Sequence, residues 1–296
     1  MGPSKTTIAE AGPSLMAKGS STGTSVAVVL PVFNQLEYTR SCVESLAPDV
    51  AGGLELIIVN NGSTDGTTEF LSSVAGAKIA YNESNLGCAR GWNQGVRLST
   101  REWTVIMNND VLVSRGWLDG LVEFATETGA EIVSPALREG TLNYSFADYA
   151  ADFVQKMRAV RRWGEAHGIC FMVRRRVFEI VGEFDENFRV GQFEDADFFR
   201  RARLAGVEMA VTGTSFLHHF GSVTQKAIQQ APAVADASYY TENRTYYVRK
   251  WKLNAARRLG QRWRRKTRNW RQRTVERLRH GHSLYEKWLD GRLRYY

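Results

Sequence analysis

The apolar run Trp103-Thr104-Val105-Ile106-Met107 stops abruptly at Asn108-Asn109-Asp110. Five consecutive uncharged residues describe a strand covered on both faces, as in a parallel sheet. When such a strand ends in carboxamide and carboxylate oxygens, they fall at the carboxyl edge, where open α/β sheets bind ligands. Oxygen clusters suit hard cations such as Mg²⁺ or Mn²⁺, which leave coordination positions for substrate phosphates. Asn and Asp are also ordinary turn residues, so the cluster takes its meaning from what surrounds it.

Val26 to Leu30 is a second run of this kind, closed by Pro31. Leu54 to Val59 is a third, stopped by Asn60-Asn61-Gly62-Ser63-Thr64-Asp65-Gly66, and Ile79 to Tyr81 a short fourth. Helical spacings lie between them. One covers Leu36 to Leu46 with Asn34 as N-cap, and another Thr67 to about Val74, capped by Asp65 or Thr64. A third is opened by Asn85-Leu86-Gly87-Cys88-Ala89-Arg90-Gly91 and runs through Val96. This alternation predicts βαβ units and a mostly parallel sheet. Further along, we expect a brief strand at Ile132-Val133 and an irregular, aromatic, flexible or acceptor-facing stretch over 138–165. A strand over Gly168 to Val173 and a helix over Arg174 to Val181 follow. Phe193-Glu194-Asp195-Ala196-Asp197 leads a helix to about Ala205, and a strand over Val207 to Val211 precedes His218-His219-Phe220-Gly221-Ser222.

The loops after the first strands carry Pro31, Phe33, Asn34, Asn61, Ser63 and Asp65, the polar and aromatic groups that nucleotide recognition uses at strand ends. They lack the Gly-x-Gly-x-x-Gly spacing and the P-loop lysine. Glu194, Asp195 and Asp197 crowd a helix start; they act either as caps or as a general base, since a carboxylate near its reference pKa is ionised at pH 7. Neutral imidazole ligates metals, and of the adjacent pair His218 and His219 only one is assigned to the cation.

Seven stretches in order carry a resemblance. They are Val28–Asn34, Ile57–Thr67, Asn85–Gly95, Met107–Val111, Gly182–Glu186, Phe193–Ala202 and His218–Ser222. The chain resembles the family 2 glycosyltransferases of GT-A fold, particularly a rhamnosyltransferase-like branch. The resemblance implies a Rossmann-like α/β sheet with flanking helices, a nucleotide-sugar donor and a divalent metal, Mg²⁺ or Mn²⁺. It implies Asp195 as catalytic base with Glu194 orienting the acceptor, and Asp110 and His218 as metal ligands. Pro31, Phe33, Asn34, Asn61, Ser63, Asn85, Arg90, Asn93, Asn108 and Asn109 become substrate-binding candidates. Two positions depart from the family pattern: Asn60-Asn61 where an aspartate is frequent, and Asn108 in place of the first aspartate of Asp-x-Asp. The implied reaction is inverting transfer from deoxythymidine diphosphate rhamnose or a uridine diphosphate hexose to a hydroxyl of a glycan, lipid-linked glycan or protein, in bacterial surface glycan assembly; the alternative is a module that binds a nucleotide-sugar without turning it over.

The net charge of +8 is unevenly distributed: residues 244–296 hold 18 Lys and Arg against 3 Asp and Glu, while the preceding 243 residues are net −7. A basic segment on an acidic body is drawn to polyanions or anionic membrane. Trp251, Ala255, Leu259, Trp263, Trp270 and Leu278 recur at helical intervals among the arginines, with Gly260 and Gly281 interrupting. That pattern suits an interfacial helix on anionic lipid, and equally a helix packed on the body or on a second subunit. Nucleic acid is the weaker alternative. The expected organisation is a disordered tail over 1–24, a catalytic domain over 25–225 (nucleotide half 25–112, acceptor half 113–225) and a basic helical extension over 226–296. The amino-terminal stretch has no long apolar core, and Met1-Gly2 with Thr6 only loosely fits a myristoylation pattern. Cys42, Cys88 and Cys170 make neither a disulfide framework nor a zinc pattern. A cytoplasmic protein, peripheral on the inner membrane face, is the expectation.

Overall fold

The computed structural model describes residues 7–10, 25–221 and 238–296. Ser222, the Met1-Gly2 pattern and the boundary expected near residue 225 lie outside the described residues. The first half runs β1 (Thr7–Glu10), β2 (Val26–Val32), α1 (Leu36–Ala51), β3 (Glu55–Asn60), α2 (Thr67–Ser72), β4 (Ala77–Tyr81), α3 (Cys88–Leu98) and β5 (Trp103–Met107). The second half runs β6 (Val111–Val113), α4 (Trp117–Thr128), β7 (Ile132–Glu139), α5 (Phe146–Met157), β8 (Arg161–Trp163), β9 (Cys170–Arg174), α6 (Arg175–Val181), α7 (Glu194–Leu204) and β10 (Met209–His219). The basic segment forms α8 (Ser238–Lys250), α9 (Ala255–His280), β11 (Tyr285–Leu289) and β12 (Arg292–Tyr295).

Among the described residues these strands make one sheet, whose main path is β1-β4-β3-β2-β5-β9-β7-β10-β6. Strands β4, β3, β2 and β5 are parallel, the βαβ core expected from their apolar runs. Antiparallel pairing enters at β9, which bridges β5 and β7, while β7 and β10 run parallel. Consecutive residues face opposite layers. Val28, Leu30, Ile58 and Met107 pack under α1 and α4, and Val29, Ile57, Ile106 and Phe171 pack under Trp92 of α3 and Phe198 of α7.

Several elements differ from expectation for identifiable reasons. Strand β2 continues through Pro31 to Val32, because its ladder with β5 ends at Val29–Ile106 and no partner on that side needs the missing N–H. Helix α1 is not capped by Asn34. Asn34 and Gln35 both have positive φ (54° and 63°), and the Leu36 N–H donates to Asp65 Oδ2 at 3.1 Å. The 138–165 stretch is ordered. Ala150, Phe153 and Met157 of α5 bury at helical spacing against Phe216 of β10. Strand β7 reaches Glu139, and β10 includes both histidines. Within the span expected to be a disordered tail, Thr7–Glu10 pairs antiparallel with β4. The helical extension ends in a hairpin whose first strand, β11, lies parallel to β7.

Helix α4 crosses β10 so closely that a Cβ on Gly120 would lie 2.2 Å from the Thr214 carbonyl oxygen. A backbone atom cannot step aside, so Gly120→Ala should destabilise the fold by about 1–3 kcal/mol. Denaturant unfolding should show a lower midpoint with unchanged slope.

Candidate active site

Helix α7 begins at Glu194, after a loop that turns through Val190, Gln192 and Phe193 at φ 58°, 82° and 76°. This turn sets Asp195 against the backbone of Gly168, where a Cβ would meet Asp195 Oδ2 at 2.2 Å. Only glycine admits the carboxylate there. Asp195 Oδ1 also accepts the Ala196 N–H at 2.7 Å. Glu194 is buried, and its Oε2 has no hydrogen-bond partner among the described residues. Burial, reinforced by the neighbouring Asp195 charge, pushes the Glu194 carboxyl up to about 8. Burial likewise raises Asp195, against backbone N–H groups that favour its anion. Asp195 is therefore not the reference-like carboxylate the sequence suggested. A raised base is better matched to a hydroxyl proton. Asp197, the third acid, is a structural pin: with no exposure, it is bound by Arg201 (2.9 Å), Lys250 (2.8 Å) and Trp251 Nε1 (2.9 Å).

The Asn108-Asn109-Asp110 corner joins this place through the backbone. The Asn108 N–H donates to Ile169 O at 2.9 Å, one residue from Gly168. The Cys88 N–H donates to Val190 O at 2.8 Å, seating the loop before α7 on the start of α3. The Cys88 thiol is raised well above its usual value by burial and then by the charges of Glu194, Asp195 and Asp110.

His219, not His218, meets Asp110. His219 Nε2 lies 3.3 Å from Asp110 Oδ1, and its Nδ1 lies 3.4 Å from Glu139 Oε2. Lys287 of β11 closes on Glu139 from the other side. Burial opposes a charged imidazole, yet these two carboxylates raise His219 to about 9. Burial alone would raise Glu139, but His219 and Lys287 hold it down to about 2. His218 projects to the opposite face of β10, where Nδ1 meets the Tyr144 hydroxyl at 2.8 Å and burial lowers its pKa to about 4. The expected pairing of His218 with Asp110 is replaced by its neighbour because strand alternation permits only one of the two on that face.

The predicted substrate-binding residues divide. Asn93 is buried and fully bonded: it donates to Phe184 O and Glu186 Oε1 and accepts the Phe184 N–H, each at 2.9 Å. It pins the Phe184–Glu186 turn to α3 and presents no free group to a substrate. Asn61 accepts from Asn82 Nδ2 at 2.9 Å and supports the second strand's loop from within. Asn34 and Ser63 lace two loops together, the Asn34 N–H donating to Ser63 Oγ (2.9 Å) and the Thr64 N–H to Asn34 Oδ1 (2.7 Å). Asn109 donates to Thr39 Oγ1 at 2.9 Å. Pro31 packs beneath Gly91, where a Cβ would come within 3.1 Å. Phe33 and Asn108 are partly exposed at the strand ends. Asn85 is exposed and caps Gly87 N–H, and exposed Arg90 pairs with Glu186 at 3.5 Å. Residues the sequence did not single out complete the surroundings. They include Gly168, His167, Glu139 and Tyr285, whose ring lies 5.4 Å from His167.

No group of three metal-ligating His, Cys, Asp or Glu side chains gathers among the described residues. Mg²⁺ or Mn²⁺ held chiefly by substrate phosphates and water does not require one. Asp110 and His219 supply one oxygen and one nitrogen donor side by side, which fits such a site.

The sequence profile of Glycosyl transferase family 2 matches residues 27–182, the span that builds the parallel core and leads up to Asp195. The chain belongs to glycosyl transferase family 2. The uncharacterized protein Rv1525 of Mycobacterium tuberculosis is 28% identical over 208 residues, covering 68% of this chain and 76% of that one. The succinoglycan biosynthesis protein ExoA of Rhizobium meliloti is 25% identical over 222 residues, covering 69% and 66%. Among solved structures, GalNAc-T7 with UDP, GalNAc and Mn²⁺ superposes with a TM-score of 0.54 at 14% identity. That likeness covers 66% of this chain and 43% of GalNAc-T7, and it shows the GT-A fold.

In this family 2 transferase, the Glu194 shift links stability to pH. The folded pKa of about 8 lies above the ordinary 4.5, so the folded state keeps a proton that the unfolded chain releases. The contribution is whole below about 4.5 and is lost as pH rises toward 8. Glu194→Gln should flatten that decline in urea unfolding midpoints measured between pH 5 and 8; a variant whose decline matches the parent would contradict the assignment.

Proposed function

We propose that this transferase moves a sugar from a nucleoside diphosphate sugar to an acceptor hydroxyl with inversion, Asp195 being the general base. The observation that carries this is Asp195 seated on Gly168, next to the Ile169 carbonyl that accepts the Asn108 N–H at 2.9 Å at the corner carrying Asp110. Asp195 takes the acceptor proton as the oxygen attacks the anomeric carbon from the face opposite the diphosphate. Glu194, neutral at pH 7, keeps a second negative charge from opposing that base and can donate a hydrogen bond to the acceptor. Asp110 and His219 would hold a divalent cation, which supplies neutralisation of charge on the departing diphosphate. His219 has to release its proton to ligate, so metal affinity should strengthen with pH. Phe33, Asn85 and Asn108 are the partly or fully exposed candidates for donor contact. The nearest substrate classes are deoxythymidine diphosphate rhamnose and uridine diphosphate hexoses as donors. A glycan, lipid-linked glycan or protein serves as acceptor in surface polysaccharide assembly.

Asp195→Asn should keep donor binding by calorimetry but lower turnover by about two to four decades, the usual weight of a general base. Turnover close to the parent's would remove Asp195 from that role. His219→Ala should raise the Mn²⁺ concentration giving half-maximal donor binding by roughly tenfold or more, whereas His218→Asn should change it little. The reverse ranking would return the ligand role to His218.

A further inference from the structure

Away from the candidate active site, α9 and the chain leading into β8 line an open hollow of about 510 Å³, whose walls include Arg161 together with Arg268, Arg271, Val275, Arg279 and His280. The acid in its wall, Glu276, is buried and turned to Arg162 at 2.7 Å, and so does not offset the others. Arg268 is engaged by Glu165 at 3.1 Å. Arg161, Arg271 and Arg279 are exposed and have no ion-pair partner among the described residues. Three uncompensated guanidinium groups around one concavity repel one another, and an anion with several oxygens relieves that repulsion while accepting their forked N–H donors.

The same helix leaves large apolar side chains in solvent: Trp270 is 60% exposed, Val275 43% and Leu278 82%. Trp270, Thr274 and Leu278 follow one another at i, i+4 spacing, so they form a stripe on one side of the helix. Val275 and Arg271 border that stripe toward the hollow, and Arg273 and Arg277 border its other edge. A duplex-binding helix has no use for this exposed apolar stripe. A lipid surface does, since aromatic and aliphatic side chains enter the acyl boundary while flanking arginines meet the headgroups. No helix among the described residues is long and apolar enough to cross a membrane, so the contact is interfacial.

We propose that this face of α9 docks the protein on an anionic phospholipid surface, with a phosphate headgroup in the hollow of Arg161, Arg271 and Arg279 and with Trp270 and Leu278 inserted beside it. The inference is independent of the transfer reaction, because binding is read without turnover.

The test is co-sedimentation of the full chain with phosphatidylglycerol vesicles and with phosphatidylcholine vesicles, at low and high salt. Binding is expected to the first and not the second, and to weaken with salt. The triple variant Arg161→Gln, Arg271→Gln, Arg279→Gln should partition on the order of 100-fold less, about fivefold per arginine. Trp270→Ala with Leu278→Ala should weaken binding while keeping its salt dependence. These side chains are exposed, and circular dichroism should show both variants folded. Equal binding to both vesicle types, no binding to either, or partitioning unchanged in the triple variant would overturn the proposal. So would tighter binding of duplex DNA than of phosphatidylglycerol at the same salt, lost in the same triple variant.

Discussion

A carboxylate with no solvent exposure persists only if cations and donors surround it, and Asp197 is such a group. Arg201 reaches it from its own helix, while Lys250 and Trp251 reach it from the end of α8 and just beyond. Lys250 also holds Asp185 at 2.7 Å. Asn243 of α8 donates to the carbonyls of Arg189 and Gly191 in the left-handed turn ahead of Asp195. The start of α7, and with it the candidate base, is therefore held from outside the family core. Removing either cation would leave the buried carboxylate with a single cation and the Trp251 N–H. Such contacts thus secure geometry more than they add net stability.

The second half of the site depends on the same segment. Lys287 of β11 stands at one end of a row of alternating charges, Lys287–Glu139–His219–Asp110. Three of its four members are placed by strand registers, Lys287 opposite Glu139 and Glu139 opposite His219, and Asp110 directly precedes β6. The basic segment thus joins the candidate site on one side and presents a charged outer face on the other.

Strands β3 and β5 were legible because a buried parallel strand must be an unbroken apolar run, and these runs end in oxygen-rich corners. Asp110 and the Glu194-Asp195 pair stood out as candidates in the sequence because charge at such corners is costly without a purpose. The choice between His218 and His219 was not, because β10 extends eight residues beyond its obvious apolar run, through Thr212, Gly213 and Thr214. Without that extension the alternation that separates the two rings is invisible. Asn93 resembled a binding residue by its motif, yet its partners Phe184 and Glu186 lie 91 and 93 positions away. The aromatics of 138–165 suggested irregularity, but their partner, Phe216, belongs to a strand that local periodicity does not reveal.

Strand β11 takes the edge of β7 that β9 vacates after Val133, and Lys287 meets Glu139 across 148 positions of chain. Pairing over such a distance closes a large loop, which slows the search for the folded state. The middle of this sheet is therefore finished by residues far down the chain, and the parallel core must stand for a time with one inner edge bare. Once docked, the hairpin carries Lys287, Arg292 and Arg294, and such charges discourage edge-to-edge pairing with a second molecule at the hairpin's own edge.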